Sequence, residues 1–192
     1  MKKNIKLRTL MYPEPAVVAS AYDNDGNVDA CTLAFATMCS HKPPCVLIAI
    51  NSTLKRKTLK SILETNAFCI AFPSIEHLSE TDYLGIETGY NVDKIDKIGF
   101  TTTRALKVNA PIINEFKVSI ECEVKHLVDI GSHTQIFGEV VNIQADEDVL
   151  NEKGKIDFKK LNPIIYDDNN YDYYNFGQKL ADAFNIGKKF KN

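Results

Sequence analysis

Residues 51–58 read Asn-Ser-Thr-Leu-Lys-Arg-Lys-Thr, so three cations and three hydroxyls follow directly on the apolar run at 46–50. Such a stretch at a helix start is suited to binding an anion. First-turn amides have no intrahelical acceptor, the positive end of the helix dipole faces the same way, and a guanidinium offers paired donors. Ser52, Thr53, Lys55, Arg56 and Lys57, with Thr58 expected to cap the helix that follows, would hold a single phosphate on an otherwise neutral small molecule. A solvated basic loop that keeps a strand end in water has the same composition, and composition alone leaves both readings open. Cys39, His41 and Cys45 would suit a metal or redox pair. Two prolines stiffen that connection and no second ligand cluster accompanies it, so no metal is expected. No Ser-His-Asp set or carboxylate pair argues for hydrolysis.

The elements that must position this stretch are mostly strands. Residues 17–22 are apolar with small and β-branched types, and Asp-Asn-Asp-Gly after them predicts a hairpin into 30–38. The run at 45–50 predicts a strand buried on both faces, 58–65 a short helix with 3.6-residue spacing, and 67–72 another strand. Residues 74–99 read as a helical insertion contributing little core. From Lys117 the period becomes two: Val118, Ile120, Cys122 and Val124 alternate with Ser119, Glu121, Glu123 and Lys125, which predicts one core face and one wet face. A turn at 129–133 returns the chain as a partner strand. The tail from about 161 to 192 concentrates tyrosines and is expected to dock on the body. Together these predict a mainly β single domain over 1–192, an antiparallel barrel with α decoration.

Charge and composition narrow the function. Lys+Arg 23 against Asp+Glu 25 gives a net charge of -2, so no global positive field would hold nucleic acid or an anionic membrane. No apolar run approaches the length of a membrane span, the N-terminus lacks a signal-peptide pattern, and the five cysteines form no C-x-x-C pair. A cytoplasmic protein is expected. The nine glycines never occur as G-x-G, so a nicotinamide cofactor would have no dedicated binding domain.

In order along the chain, PAVVASAYDNDGNVDACTLAFAT, PPCVLIAI, STLKRKT, TGYNVDKI, APII, IECEV, GSHTQIFGEVV and LNPIIYDDNNYDYYNFG resemble the flavin reductase-like family of FMN-binding split barrels, in its flavoredoxin-type branch. The resemblance implies a split barrel, FMN at a homodimer interface, NADH or NADPH as electron donor, and electrons passed onward. The alternative it carries is a non-enzymatic FMN carrier reduced by a redox partner protein. Residue by residue it implies that Ser52, Arg56, Lys57 and Thr58 hold the phosphate, with Asn51 also in the cofactor site. Asp29, Ala30, Thr32, Phe35, Ala36 and Thr37 would follow the flavin's edge, with Lys94, His133 and Tyr166 around the ring and His133 the candidate catalytic residue. The family often has Asn and Trp where this chain has Asp29 and Phe35, and Asp where it has Ser132. An acidic Asp29 beside a flavin that becomes anionic on reduction must turn away or lower the potential.

Overall fold

The computed structural model describes residues 1–191. In chain order the strands and helices are β1 (Glu14–Pro15), β2 (Val17–Tyr22), β3 (Val28–Leu33), β4 (Ala36–His41), β5 (Pro44–Asn51), α1 (Lys57–Thr65), β6 (Ala67–Ala71), α2 (Leu78–Ile86), α3 (Lys94–Lys97), β7 (Thr102–Arg104), β8 (Pro111–Ile113), β9 (Val118–Ile130), β10 (His133–Ala145), α4 (Phe158–Leu161), β11 (Ile164–Asp167) and β12 (Asp172–Asn175). The main sheet has seven antiparallel strands in the order β3-β2-β6-β9-β10-β5-β4, and among the described residues no ladder joins β3 to β4. A second sheet, β1-β11-β12, ties the N-terminal segment to the tail, and β7-β8 form a short ribbon. The fold is mainly β and antiparallel.

Local chemistry accounts for the hairpins. The Asp23 carboxylate accepts the Asp25 and Asn27 amides, and Gly26 takes a positive φ of 82°, closing the β2–β3 turn. β9 and β10 pair over most of their length, with a register shift at Phe137/Gly138. A Cβ on Gly138 would lie 2.5 Å from the Phe68 ring, so the fully buried Phe68 is seated where only glycine leaves room. Phe68 joins Ile48, Ile50, Ile62 and Ile136 in the principal core between α1 and the sheet.

Three sequence expectations are corrected. The run at 45–50 is buried on one face only: Val46, Ile48 and Ile50 enter the core, whereas Leu47 and Ala49 are half-buried on the other side. The insertion contributes more core than expected, because Leu84 and Ile95 pack with Val18, Ala30 and Ala71 in a second cluster. The supposedly wet face of β9 is partly covered, with Ser119 and Glu121 buried. The chain at 105–110 lies over that face, and Glu121 accepts the Asn142 and Gln144 amides at 2.7 Å each and the Lys107 amide at 2.7 Å. Those bonds hold its carboxyl below the ordinary range, against a burial effect that acts the other way. A period of two shows which side chains share a face but not what covers that face.

Candidate functional site

β3 ends, and the chain crosses to β4, at residues 32–36, where three clefts adjoin. The first, about 220 Å³, is lined by Thr32, Phe35, Asn51, Arg56, His133 and Asp168 among others. The second, about 310 Å³, shares Thr32 and Ala34 and is faced by Asp82, Tyr166, Tyr171 and Tyr173. The third, about 450 Å³, shares Ala34, Phe35 and Ala49 with the first, with Glu14, Ala36, Thr37, Leu47 and Gln135 also on its walls. Phe35 and His133 place their ring centroids 5.3 Å apart, and the Ser132 hydroxyl lies 2.9 Å from His133 Nδ1. The half-exposed face of β5 that the sequence did not predict is therefore cleft wall.

The basic stretch folds differently from its sequence reading. Asn51 Oδ1 accepts the Thr53 and Leu54 amides and the Thr53 hydroxyl, which turns the chain out of β5. Lys55 follows with a positive φ of 46°. α1 then begins at Lys57 with Arg56, not Thr58, as its N-cap, and no side chain caps it. Thr58 points inward and donates to Asp29 Oδ2 at 2.5 Å. Arg56 donates to the Gly85, Ile86 and Glu87 carbonyls at 2.6, 3.4 and 2.9 Å, satisfying groups that the end of α2 leaves without partners. Lys57 turns away to Asp23, 3.2 Å distant. Ser52 lies on the rim of a neighbouring cavity with Lys55 and Arg56.

Asp29 and Lys94 lie behind the clefts. Both are buried, and Lys94 Nζ is 3.2 Å from Asp29 Oδ1 while also donating to the Ala30 carbonyl. With Thr58 on its other oxygen, Asp29 faces the interior and is neutralised there. This answers how an acidic residue is accommodated at that position. A Cβ on Gly89 would fall 2.2 Å from Asp29 Oδ1, so the chain after α2 passes directly over the carboxylate and only glycine fits.

Several lining residues escaped the sequence reading. Tyr173 donates to Asp82 at 2.9 Å, and burial together with that bond pushes its phenol far above the ordinary value. Tyr166 packs on Tyr173 with centroids 5.4 Å apart. Tail tyrosines were the available signal for Tyr171 and Tyr173. Asp82, in a helix of ordinary polarity, offered none. Among the described residues, no group of three or more His, Cys, Asp or Glu is placed to hold a metal.

Residues 8–175 match the model of the flavin reductase like domain. The chain belongs to that family. Among solved structures similar to this member, flavoredoxin of Desulfovibrio vulgaris (Miyazaki F) superposes with a TM-score of 0.92 at 35% identity, covering 98% of this chain and 100% of that one. Flavoredoxin from Methanosarcina acetivorans gives 0.92 at 25% identity, covering 98% of each chain. An uncharacterized protein of Aquifex aeolicus (strain VF5) is 30% identical over 159 residues, 81% of each sequence. No helix among the described residues is long and apolar enough to cross a membrane.

Proposed function

We propose that this family member binds FMN on a split-barrel scaffold and works as an oxidoreductase in a homodimer, taking hydride from NADH or NADPH and passing electrons onward. The supporting observation is one cleft whose walls bear Phe35 and His133 together with Asn51, paired with His133 at the end of β5, and Arg56 at the start of α1. Its apolar walls and polar end suit a flat ring with an anionic tail. The first-turn amides of α1 and the Ser52 hydroxyl are the donors for the phosphate; Arg56 fixes the backbone beside them and adds its charge. Bound there, FMN would supply two-electron hydride acceptance and one- or two-electron release.

The chain's own residues would position and balance. Phe35 offers an aromatic face and His133 borders it from β10. Lys94 holds the β3 backbone and cancels Asp29, so its role is to position the strand that carries Thr32 and leads into Phe35. Tyr166 and Tyr173 close the far side of the second cleft. The deciding experiment is an absorption spectrum of freshly purified protein, followed by anaerobic addition of NADH or NADPH. Flavin bands that bleach are expected; a colourless protein that takes up no added FMN would overturn the reading.

One observation favours a second reading, a carrier reduced by a redox partner protein. Arg56 is the lone Lys or Arg lining the first two clefts among the described residues, it is already bonded to three carbonyls, and Asp168 and Asp82 line the same two clefts. A dinucleotide's phosphates find little counter-charge there. Rapid bleaching by reduced ferredoxin, with none by either nicotinamide, would select the carrier.

A further inference from the structure

We propose that Cys39 and Cys45, on the paired strands β4 and β5, form a modification site: a thiol pair that closes to a disulfide by exchange with a small disulfide such as oxidised glutathione, and reopens on reduction. The ladder puts the two residues face to face. Met38 pairs with Val46 and Ser40 with Cys45, so β4 is bulged there and Cys39 and Ser40 together stand opposite Cys45. Facing residues of an antiparallel ladder have Cα atoms about 4.5–5.5 Å apart, and a disulfide spans about 4.4–6.8 Å. The Cys39 thiol already reaches the neighbouring strand, donating to the Cys45 carbonyl at 3.4 Å. Desolvation and then the Cys45 charge push the Cys39 thiol above its ordinary value, and a charge effect of that kind acts between near neighbours.

Access singles out this pair among the five free cysteines. Cys39 is exposed and Cys45 half-buried, whereas Cys31, Cys69 and Cys122 are buried. Burial pushes the Cys31 and Cys122 thiols up and lifts Cys69 to about 12, so those three are slow to react while the chain is folded. Pro43 and Pro44 stiffen the short connection, which keeps the effective concentration of one thiol at the other high. The exchange balances in two steps. The Cys39 thiolate attacks one sulfur of the small disulfide, forming a mixed disulfide and releasing a small thiolate, which takes up the proton that Cys39 gave. The Cys45 thiolate then attacks the Cys39 sulfur, forming the Cys39–Cys45 bond and releasing the second small thiolate, which takes up the Cys45 proton. Two protein thiols are thereby oxidised and one small disulfide is reduced to two thiols. The ring, residues 39–45, pins the bulge of an edge strand whose ladder partner in the main sheet is β5.

The pair stands apart from the flavin reading, since neither cysteine lines any of the three clefts among the described residues. The test is a redox titration of the full chain, as purified, in buffers of reduced and oxidised glutathione, followed by acid quenching, alkylation of free thiols under denaturing conditions and mass spectrometry of the intact chain and its peptides. Cys39 and Cys45 should lose their free thiols together, as a loss of two hydrogens within the one chain, at about tenfold or more less oxidised glutathione than modifies Cys31, Cys69 or Cys122. Added dithiothreitol should restore both. Cys45→Ser should stop at the first step, with glutathione held on Cys39 and no loss of two hydrogens. The measurement on the unaltered chain needs no variant to fold. A lasting mixed disulfide on Cys39 in the unaltered chain, a bond between the Cys39 residues of two chains on a non-reducing gel, or Cys39 and Cys45 still free where a buried cysteine has reacted would each overturn the proposal.

Discussion

The inner wall of the cleft and its outer rim are built on opposite plans. Behind the cleft, Asp29, Lys94 and Thr58 are joined to one another by charged hydrogen bonds, and Lys94 and Arg56 are bonded to the backbone at 30 and 85–87. Along the rim, Phe35 and His133 meet through ring contact, Ser52 is exposed, and β4 exposes nearly all its side chains. The inner wall stabilises by burial of paired charge and fixes distances; the rim leaves surface free for whatever docks. Stability and ligand affinity should accordingly respond to different residues, and each prediction below either breaks that division or sharpens it.

The largest effect is expected at the inner wall. Lys94→Met removes one partner of a buried pair and leaves Asp29 uncompensated, so unfolding free energy from urea titration should fall by about 3–5 kcal/mol. Adding Asp29→Asn removes the stranded charge and should recover most of that loss, because replacing both members of a buried pair is far milder than removing one. A double variant as unstable as the single would show that shape, not charge, holds this wall. Arg56→Ala comes next. Its guanidinium serves three carbonyls, and their loss should cost about 1.5–3 kcal/mol in stability. If Arg56 also serves the phosphate, FMN affinity measured by fluorescence titration should fall by a similar amount; weaker FMN binding with unchanged stability would place Arg56 on the rim.

Acid should loosen one corner of the same wall. Against a burial effect that raises it, the Asn27 side-chain and backbone amides and the Lys57 ammonium hold the Asp23 carboxyl at about 2, below its ordinary 3.8. A lowered folded value means that the native state favours the ionised form. The stabilisation is complete above about pH 4 and is lost as pH falls toward 2, a contribution of about 2 kcal/mol. Asp23→Asn should lower stability at pH 7 and flatten that part of the acid limb. An acid limb of unchanged slope would remove Asp23 from the wall.

What the sequence made legible follows from range. The β9–β10 hairpin and α1 were readable because a period of two and a period of 3.6 are local patterns. Burial of Glu121 was not, since its partners Lys107, Asn142 and Gln144 come from elsewhere in the chain. Arg56 and Thr58 were singled out as residues near a ligand, but their actual acceptors, the end of α2 and Asp29, lie about 30 residues away and carry no spacing signal. Composition carries no sign that Lys94 is buried, because the carbonyl and carboxylate that make its burial tolerable are also remote. Glu14, between two prolines, gave no hint that a cleft would form against it.

The smallest stability effect is expected on the rim, at Tyr173→Phe. The phenol donates to Asp82 at 2.9 Å, and losing one such bond should cost about 1 kcal/mol. The consequence for the cleft is disproportionate. Asp82 loses its donor and becomes a free carboxylate facing the same space as Tyr166 and Tyr171, so an anionic ligand in the second cleft should be repelled more than a neutral one. If NADH or NADPH reaches the flavin through this cleft, the variant should raise its KM with little change in melting temperature, and added salt should reduce the difference. If a partner protein delivers the electrons elsewhere, bleaching by that partner should be unchanged. This substitution therefore separates the two proposed donors at a residue whose loss the fold itself tolerates.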